Sequence, residues 1–115
     1  MQLNVYYLDD ELDLCEIFTD FFESNEVKVT TFTCPKEAIK AIAANPPDLF
    51  FVDYRLPGTT GDLVAQALDP KIPKFLITGE ISIVTTYSFV KVFGKPYKHD
   101  EVIKIMEPYL LRKTA

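Results

Sequence analysis

Short apolar runs alternate with amphipathic segments along almost the whole chain. The apolar runs predict five strands, at residues 3–8, 27–31, 49–52, 75–78 and 90–93. The segments between and after them carry apolar residues at helical spacing and predict five helices, at residues 11–23, 35–44, 61–68, 81–88 and 99–112. This alternation of strands and helices favours a parallel sheet with helices on both of its faces.

The apolar pattern within each strand indicates which strands are central. Residues 49–52 and 75–77 are apolar at every position, as expected for strands that are covered on both faces. The second and fifth strands alternate instead, and they carry Lys28 and Lys91, which is typical of sheet edges. The sequence therefore predicts an α/β fold, a (βα)5 doubly wound five-stranded parallel sheet whose second and fifth strands are outermost.

The composition narrows the class of protein. The 115 residues, 48% of them hydrophobic, suit one compact domain over residues 1–115. The 17 acidic and 12 basic residues give a formal charge of −5 without a basic stripe, so we expect no direct nucleic-acid binding. Apolar runs such as Leu49–Val52 are too short to span a bilayer, and no leader-like segment opens the chain. Cys15 and Cys34 are too few for a disulfide framework, so we expect a cytoplasmic protein without membrane contact.

Polar residues stand at the carboxyl ends of four of the predicted strands. Asp9 and Asp10 follow the first strand, and Asp53 follows the third. Thr78 ends the fourth strand, and Lys95 follows the fifth. Because the carboxyl ends of parallel strands form the ligand crevice of an open α/β sheet, these side chains are expected to converge. Clustered carboxylates favour a divalent cation such as Mg²⁺, and a lysine with a hydroxyl opposite it suits an incoming phosphoryl group.

The set of residues, in this order, resembles the receiver domain of two-component response regulators, the CheY-like family. The resemblance rests on Asp9-Asp10-Glu11, on the stretch from Asp53 to Gly61, on Thr78-Gly79 and on Lys95-Pro96. It covers essentially the whole chain, and the ordered set is far more specific than any single member. It implies the strand order 2-1-3-4-5 of the flavodoxin-like fold.

The resemblance implies a phosphoryl-transfer role for three residues. Asp53 is expected to be the nucleophile that accepts a phosphoryl group from a phosphohistidine. Lys95, whose bond to the following proline is cis in many relatives, is expected to stabilise charge on the phosphoryl oxygens. Thr78 is expected to bind the phosphoryl group and to relay its presence. Such a domain assists its own phosphorylation and dephosphorylation but is not an enzyme acting on a separate substrate.

The resemblance also implies a metal site. Asp10 and Asp53, together with the backbone carbonyl of Arg55, are expected to hold Mg²⁺, with Mn²⁺ as an alternative ion. Asp9 is expected to act on the metal directly or through a water. The metal supplies charge neutralisation and in-line placement, which a carboxylate needs to attack a phosphoramidate.

The implied partners are a sensor histidine kinase or phosphotransfer protein upstream, and a downstream protein or a second copy of the chain at an output face within residues 81–112. Three departures from the family pattern fall on this face. Val92 stands where relatives usually carry an aromatic residue, the stretch from Thr78 to Lys95 is shorter than usual, and Asp100 is expected to replace a missing helix cap. The departures affect how a signal is passed on rather than how it is received.

Most of the site residues, taken singly, also have an ordinary structural interpretation; Asp53 is the exception, because an acid directly after an apolar strand is costly unless it is ligated or exposed. Acidic residues suit a helix N-terminus, threonine suits a strand, and a lysine before proline is a common loop residue. The alternative function is a receiver-shaped interaction module that signals without phosphorylation, and the intact set of site residues argues against it. A phosphatase on the same fold would need a second acid where Arg55 stands, and a flavin phosphate would need donors where the first loop is acidic.

Overall fold

The computed structural model describes residues 2–80 and 82–114. The strands are β1 (Leu3–Leu8), β2 (Val27–Phe32), β3 (Leu49–Asp53), β4 (Arg55–Leu56), β5 (Thr59–Thr60), β6 (Lys74–Thr78) and β7 (Lys91–Gly94). The helices are α1 (Leu12–Phe22), α2 (Pro35–Ala44), α3 (Gly61–Gln66) and α4 (His99–Thr114). None of these four helices is long and apolar enough to cross a lipid bilayer.

Five parallel strands form the main sheet in the order β2-β1-β3-β6-β7. The predicted order is confirmed, because β6 and β7 are the fourth and fifth of the predicted strands. The two short strands β4 and β5 were not predicted from the sequence. They pair as an antiparallel hairpin in which Gly58 adopts a φ of 73° after Pro57, as the third position of a type II turn requires.

The core has two layers, one on each face of the sheet. The layer under α1 and α4 is rich in aromatic rings, with Phe18 stacked near Tyr7 and Phe51 stacked against Phe75. The layer under α2 and α3 is mainly aliphatic and includes Ile42 of α2. Helices on both faces bury the two central strands completely, which is why β3 and β6 read as continuous apolar runs.

The edge strands are those that the sequence indicated. β2 and β7 lie at the two ends of the sheet, and Lys28 and Lys91 are exposed on them. Charged side chains at sheet edges discourage pairing with other chains. Val92, in β7, is 49% exposed, because none of the four helices of the described residues covers this part of the sheet.

The predicted helix over residues 81–88 is wrong for the residues that the structure describes. Residues 82–90 contain no helix, and Ile81 lies outside the described residues. The β-branched run Ile83, Val84, Thr85 and Thr86 has low helix propensity, and so short a segment gains little from cooperativity. Side-chain anchors hold this segment instead, and we call residues 82–90 the strap.

The strap is held by two buried charged side chains. Asp62 of α3 accepts hydrogen bonds from the backbone N–H and the hydroxyl of Thr86, both at 3.1 Å. The Lys74 ammonium, only 1% exposed, donates to the hydroxyl of Tyr87 at 2.9 Å. It also donates to the carbonyls of Asp69 and Ile72, so its charge is satisfied within the described residues. The described residues between β6 and β7 thus make the crossing without a helix.

The remaining differences in the helices are smaller. α3 ends at Gln66, two residues before the predicted end, and α4 extends past the predicted end at residue 112. Pro108 lies exposed inside α4 without ending it. The expected capping role of Asp100 is wrong, because α4 begins at His99 and Asp100 already lies in its first turn.

Candidate functional site

Three of the predicted site residues meet in direct contact at the carboxyl edge of the sheet. Asp9 directly follows β1, Asp53 is the last residue of β3, and Lys95 directly follows β7. The Lys95 ammonium lies 2.9 Å from Oδ2 of Asp9 and 3.0 Å from Oδ1 of Asp53. Lys95 therefore bridges two carboxylates that come from separate strands.

The cis peptide bond between Lys95 and Pro96 stands directly after this bridge, as the resemblance implies. The backbone N–H of Lys95 donates to the carbonyl of Thr78 at 2.8 Å, which continues the pairing of β7 with β6. The sheet therefore fixes the backbone of Lys95, where the loop after β7 begins.

The Asp9 carboxylate is completely buried and surrounded by donors. Besides Lys95, it accepts a hydrogen bond from the hydroxyl of Tyr7 at 2.6 Å and from the backbone N–H of Glu11 at 3.0 Å. A buried carboxylate is costly unless it is paired and hydrogen-bonded, and Asp9 is both. Its position is consequently tightly defined.

Asp9, Asp10 and Asp53 form a cluster able to hold a metal ion. One carboxylate oxygen from each lies within 4.8 Å of the others. Asp10 is exposed, whereas the other two are buried, so the cluster opens to solvent on the side of Asp10. Three hard oxygen donors from short acidic side chains fit Mg²⁺, which prefers carboxylate and water ligands.

The charges at the site oppose one another. Burial raises the pKa of Asp53, Asp9 raises it further, and the hydrogen bond from Lys95 works in the other direction. Burial works against the charged form of Lys95, but hydrogen bonds to Asp9 and Asp53 outweigh it and raise the pKa of Lys95. Lys95 therefore remains an ammonium. Three carboxylates and one ammonium leave a net negative charge, which favours the binding of a further cation.

Gly61 fixes the backbone of Asp53. A Cβ atom at position 61 would lie 2.3 Å from the carbonyl oxygen of Asp53, a separation that no side chain tolerates. The N–H of Gly61 also donates to the carbonyl of Tyr54 at 2.8 Å. The glycine that closes the predicted phosphoacceptor stretch thus allows α3 to begin directly against the end of β3.

Thr78 lies beside this cluster without contacting it through a hydrogen bond that the structure records. It ends β6, the neighbour of β3, and its buried hydroxyl oxygen accepts the N–H of Glu80 at 3.1 Å. The hydroxyl proton remains available to a group bound at the end of the sheet. Arg55, whose carbonyl is a predicted metal ligand, stands two residues after Asp53 at the start of β4.

The side chain of Arg55 forms an ion pair across the rim of the site. Its Nε lies 2.6 Å from Oε1 of Glu80, and both side chains face solvent. The hydrogen bond and the charge of Glu80 raise the pKa of Arg55. The pair connects the loop after β3 with the loop after β6.

An apolar groove of about 430 Å³ adjoins the site on the α1 side. Leu14, Ile17 and Phe21 of α1 line one wall, and Pro96 and Tyr97 line the other, with Tyr7 and Lys95 at the end nearest the carboxylates. Phe21 is 50% exposed and lines this groove. The groove thus places apolar side chains directly beside the polar site.

Tyr7 was not among the site residues predicted from the sequence. The signal was present, because residues two positions apart on a strand point to the same face, which places Tyr7 beside Asp9. Asp62 and Lys74 were not predicted to anchor the strap, because their partners in it lie far away in the sequence.

Comparison with known proteins identifies the chain's relatives. The family model for the response regulator receiver domain matches residues 5–107. The chain is 26% identical to the C4-dicarboxylate transport transcriptional regulatory protein DctD of Rhizobium meliloti, over 97% of this chain and 28% of that protein. It is 31% identical to the transcriptional regulatory protein CssR of Bacillus subtilis, over 68% of this chain and 36% of that protein. The chain thus spans about a third of the length of these curated relatives.

Solved structures share the fold over nearly the whole chain. A signal receiver domain of an HD domain-containing protein from Pseudomonas fluorescens superposes with a TM-score of 0.86 at 13% identity, covering 99% of this chain and 98% of that one. A CheY-like receiver domain from Methylobacillus flagellatus gives a TM-score of 0.81 at 16% identity, covering 94% and 98%. Together with the family match, the chain belongs to the response regulator receiver domains, the phosphoacceptor modules of two-component signalling systems.

Proposed function

We propose that this chain, as one receiver domain over residues 1–115, accepts a phosphoryl group on Asp53 in a Mg²⁺-dependent reaction. The observation that carries the proposal is the contact of one ammonium, on Lys95, with both Asp9 and Asp53 at the carboxyl edge of the sheet. A cation held between two carboxylates is a ready partner for an anionic group that arrives at one of them.

The transfer step forms one bond and breaks another. A carboxylate oxygen of Asp53 bonds to phosphorus while the bond from phosphorus to the donor's imidazole nitrogen breaks. The electron pair of that bond stays on the departing imidazole. Gly61 and the pairing of β3 with β6 hold the Asp53 backbone in place, which favours the aligned geometry that such a displacement needs.

Asp9, Asp10 and Asp53 would hold the metal, with the carbonyl of Arg55 as a further ligand. When bound, Mg²⁺ supplies positive charge to the phosphoryl oxygens and brings them close to a carboxylate that would otherwise repel them. Lys95 would contribute a second positive charge, and the Thr78 hydroxyl would donate a hydrogen bond to the phosphoryl group.

The phosphoryl donor is proposed to be a histidine kinase or a phosphotransfer protein that docks at the groove beside α1. A phosphohistidine must come within bonding distance of Asp53, so its carrier must cover the surface next to the site. The groove, lined by Ile17, Phe21 and Tyr97, is continuous with Lys95 and offers apolar contacts. Its occupant is therefore expected to be a helix that carries the histidine.

The output is proposed to pass through the strap to a downstream protein or a second copy of the chain, on the face formed by the strap, β7 and α4. Val84, Val90 and Val92 are exposed there. A cytoplasmic location is also proposed, and the two free cysteines, Cys15 and Cys34, support a reducing compartment.

The test is the intact mass of the protein after incubation with acetyl phosphate, with Mg²⁺ or with a chelator in its place. We expect the mass to increase by one phosphoryl group only when Mg²⁺ is present. Asp53→Asn is expected to abolish the increase, whereas Asp69→Asn, a change at an exposed aspartate distant in sequence from the site residues, is expected to retain it. An undiminished increase in Asp53→Asn would overturn the assignment, and no increase in the unsubstituted protein would favour the module that signals without phosphorylation.

A further inference from the structure

The hydroxyl of Tyr7 reaches the acidic cluster from inside the core. Tyr7 is 1% exposed, and its ring stacks on Phe18 of α1 with centroids 4.4 Å apart. The ring is therefore fixed, and its Oη lies 2.6 Å from Oδ2 of Asp9. This is a short hydrogen bond from a neutral donor to a buried carboxylate.

The Tyr7 hydroxyl is the donor in this contact, because an ionised carboxylate can only accept hydrogen bonds.

The hydrogen bonds of Asp9 leave it little freedom. An ionised carboxylate has about four lone-pair positions, two on each oxygen. The described residues occupy three of them, because Tyr7 and Lys95 both bind Oδ2 and the N–H of Glu11 binds Oδ1. The one position left for a metal or its water is on Oδ1.

The contact with Lys95 is the one that the reaction disturbs. In the proposed function, Lys95 turns toward the phosphoryl oxygens, which weakens its contact with Asp9. Without another donor, Oδ2 of a completely buried carboxylate would then be unsatisfied, at a considerable cost in free energy. The Tyr7 hydroxyl removes this cost, since it does not depend on Lys95.

We propose that Tyr7 is a positioning residue for the metal site: its hydroxyl fixes the Asp9 carboxylate so that only Oδ1 faces the ion, and it keeps Oδ2 hydrogen-bonded when Lys95 changes partner. The inference rests on the proposed function, because it concerns the same cluster of Asp9, Asp10 and Asp53. It assigns to a core tyrosine an effect on metal binding that acts only through Asp9.

The test is the affinity for Mg²⁺, measured by calorimetry without any phosphoryl donor. Tyr7→Phe retains the ring and its stacking on Phe18, and it is expected to weaken Mg²⁺ binding about tenfold, as loss of a hydrogen bond to a metal-ligating side chain typically does. Tyr6→Phe is the matched control, because Tyr6 adjoins Tyr7 on β1 but packs on the opposite face against Phe32. It is expected to bind Mg²⁺ as the unsubstituted protein does.

A double-mutant cycle separates positioning from general loosening of the core. Because Tyr7 acts through Asp9, Tyr7→Phe is expected to have little further effect on Mg²⁺ affinity in an Asp9→Asn background. A merely structural role would lower the stability of the metal-free protein and leave the Mg²⁺ affinity unchanged. Additive effects in the cycle would overturn this inference, and so would equal Mg²⁺ binding by Tyr7→Phe and the unsubstituted protein. Neither result would contradict the proposed metal site.

A measurement on the unsubstituted protein covers the case in which Tyr7→Phe does not fold. With ¹³C-labelled tyrosine, the Cζ resonance of Tyr7 is expected to shift when Mg²⁺ is added, while that of Tyr6 is not. A Tyr7 resonance that does not move while Mg²⁺ binds would overturn the inference. Absence of Mg²⁺ binding by the unsubstituted protein would overturn the proposed metal site, and this inference with it.

Discussion

Single residues at this site are constrained by very short distances. Gly61 is the clearest case, because its Cα lies against the carbonyl of Asp53 and leaves no space for a side chain. Tyr7 and Lys95 constrain the carboxylate of Asp9 in the same way through hydrogen bonds. Substitutions at such positions are expected to act through displacement of the acidic side chains.

Gly61→Ala is expected to destabilise the fold by about 1–3 kcal/mol, the usual cost of overpacking. The reason is the 2.3 Å approach of a new Cβ to the Asp53 carbonyl oxygen, which forces β3 and α3 apart. Gly79→Ala is the matched control, since its Cβ would meet only the Cβ of Lys95 at an ordinary 3.9 Å. Urea unfolding of both variants is the measurement, and equal stabilities would show that α3 can shift at no cost.

The pair of Arg55 and Glu80 is expected to lengthen the lifetime of the phosphorylated state. Both side chains stand at the rim, two residues beyond Asp53 and Thr78. We expect them to restrict the approach of water to an acyl phosphate on Asp53. Replacing both with alanine is expected to speed dephosphorylation severalfold, measured as loss of phosphorylated protein after removal of the donor. Glu107→Ala, at an exposed position in α4, serves as the control. Identical decay in the double variant and the unsubstituted protein would exclude this role.

Among the elements, the strap has the least regular structure and the most specific anchors. Thr86 is held by Asp62 and by a hydrogen bond from Gln66, and Tyr87 is held by Lys74. Polar anchors of this kind can be released and remade, whereas a packed helix moves as a unit. The strap is thus suited to two alternative positions.

Asp62→Asn is expected to destabilise the protein by about 1.5–3 kcal/mol at neutral pH, because it removes the charge that accepts the hydrogen bonds of Thr86. Burial works against the charge on Asp62, but hydrogen bonds from Thr60 and Thr86 outweigh it and lower the pKa of Asp62 below its ordinary 3.8. A carboxyl group whose pKa is lowered by folding stabilises the fold at pH values above its unfolded-state pKa. It loses that contribution as the pH falls through its folded-state pKa.

The stability difference between Asp62→Asn and the unsubstituted protein is therefore expected to be full at neutral pH and to shrink below about pH 3.8. Urea unfolding across this range measures it. Asp69→Asn, at an exposed aspartate that binds one backbone N–H, is the control. A difference that stays constant through the acid range would show that the charge of Asp62 does not hold the strap.

The elements that were predicted correctly from the sequence depend on local patterns of residues. The strap, which was not predicted, depends on contacts between residues far apart in the chain. β3 and β6 were predictable because burial on both faces requires an apolar residue at every position. The position of Asp53 was predictable because an acid directly after such a strand must lie at the edge of the sheet. The strap was not, because the contact of Asp62 with Thr86 joins residues 24 positions apart, and no local pattern encodes it.

At the scale of the whole molecule, the proposed function requires a signal to travel from Asp53 to the strap at the outer edge of the sheet. Thr78 and Glu80 stand between them, at the end of β6, and the strap begins directly beyond. Val92 has a stiff, β-branched side chain, so a large rotamer change on β7 is not available to carry the signal. We therefore expect movement of the strap to carry the signal.

Backbone amide resonances recorded with and without beryllofluoride and Mg²⁺ are expected to show this route. We expect shifts around Asp9, Asp53 and Lys95 and further shifts between Gly79 and Phe93. Residues of α2, which packs on the α3 side of the sheet away from the strap's edge, provide an internal control and are expected to stay near their original positions. Shifts confined to the phosphorylation site, with residues 79–93 unchanged, would show that the output lies elsewhere.

The bridge made by Lys95 also bears on how the protein is synthesised. Lys95 and Asp9 are 86 positions apart, and Lys95 and Asp53 are 42 apart. On the ribosome, the two aspartates emerge well before their ammonium partner, so a nascent chain that stops short of β7 holds repelling carboxylates without their counter-charge. Lys95 therefore joins Asp9 and Asp53 only once β7 has paired with the sheet. A partly translated chain consequently lacks the arrangement that the proposed phosphoryl transfer needs.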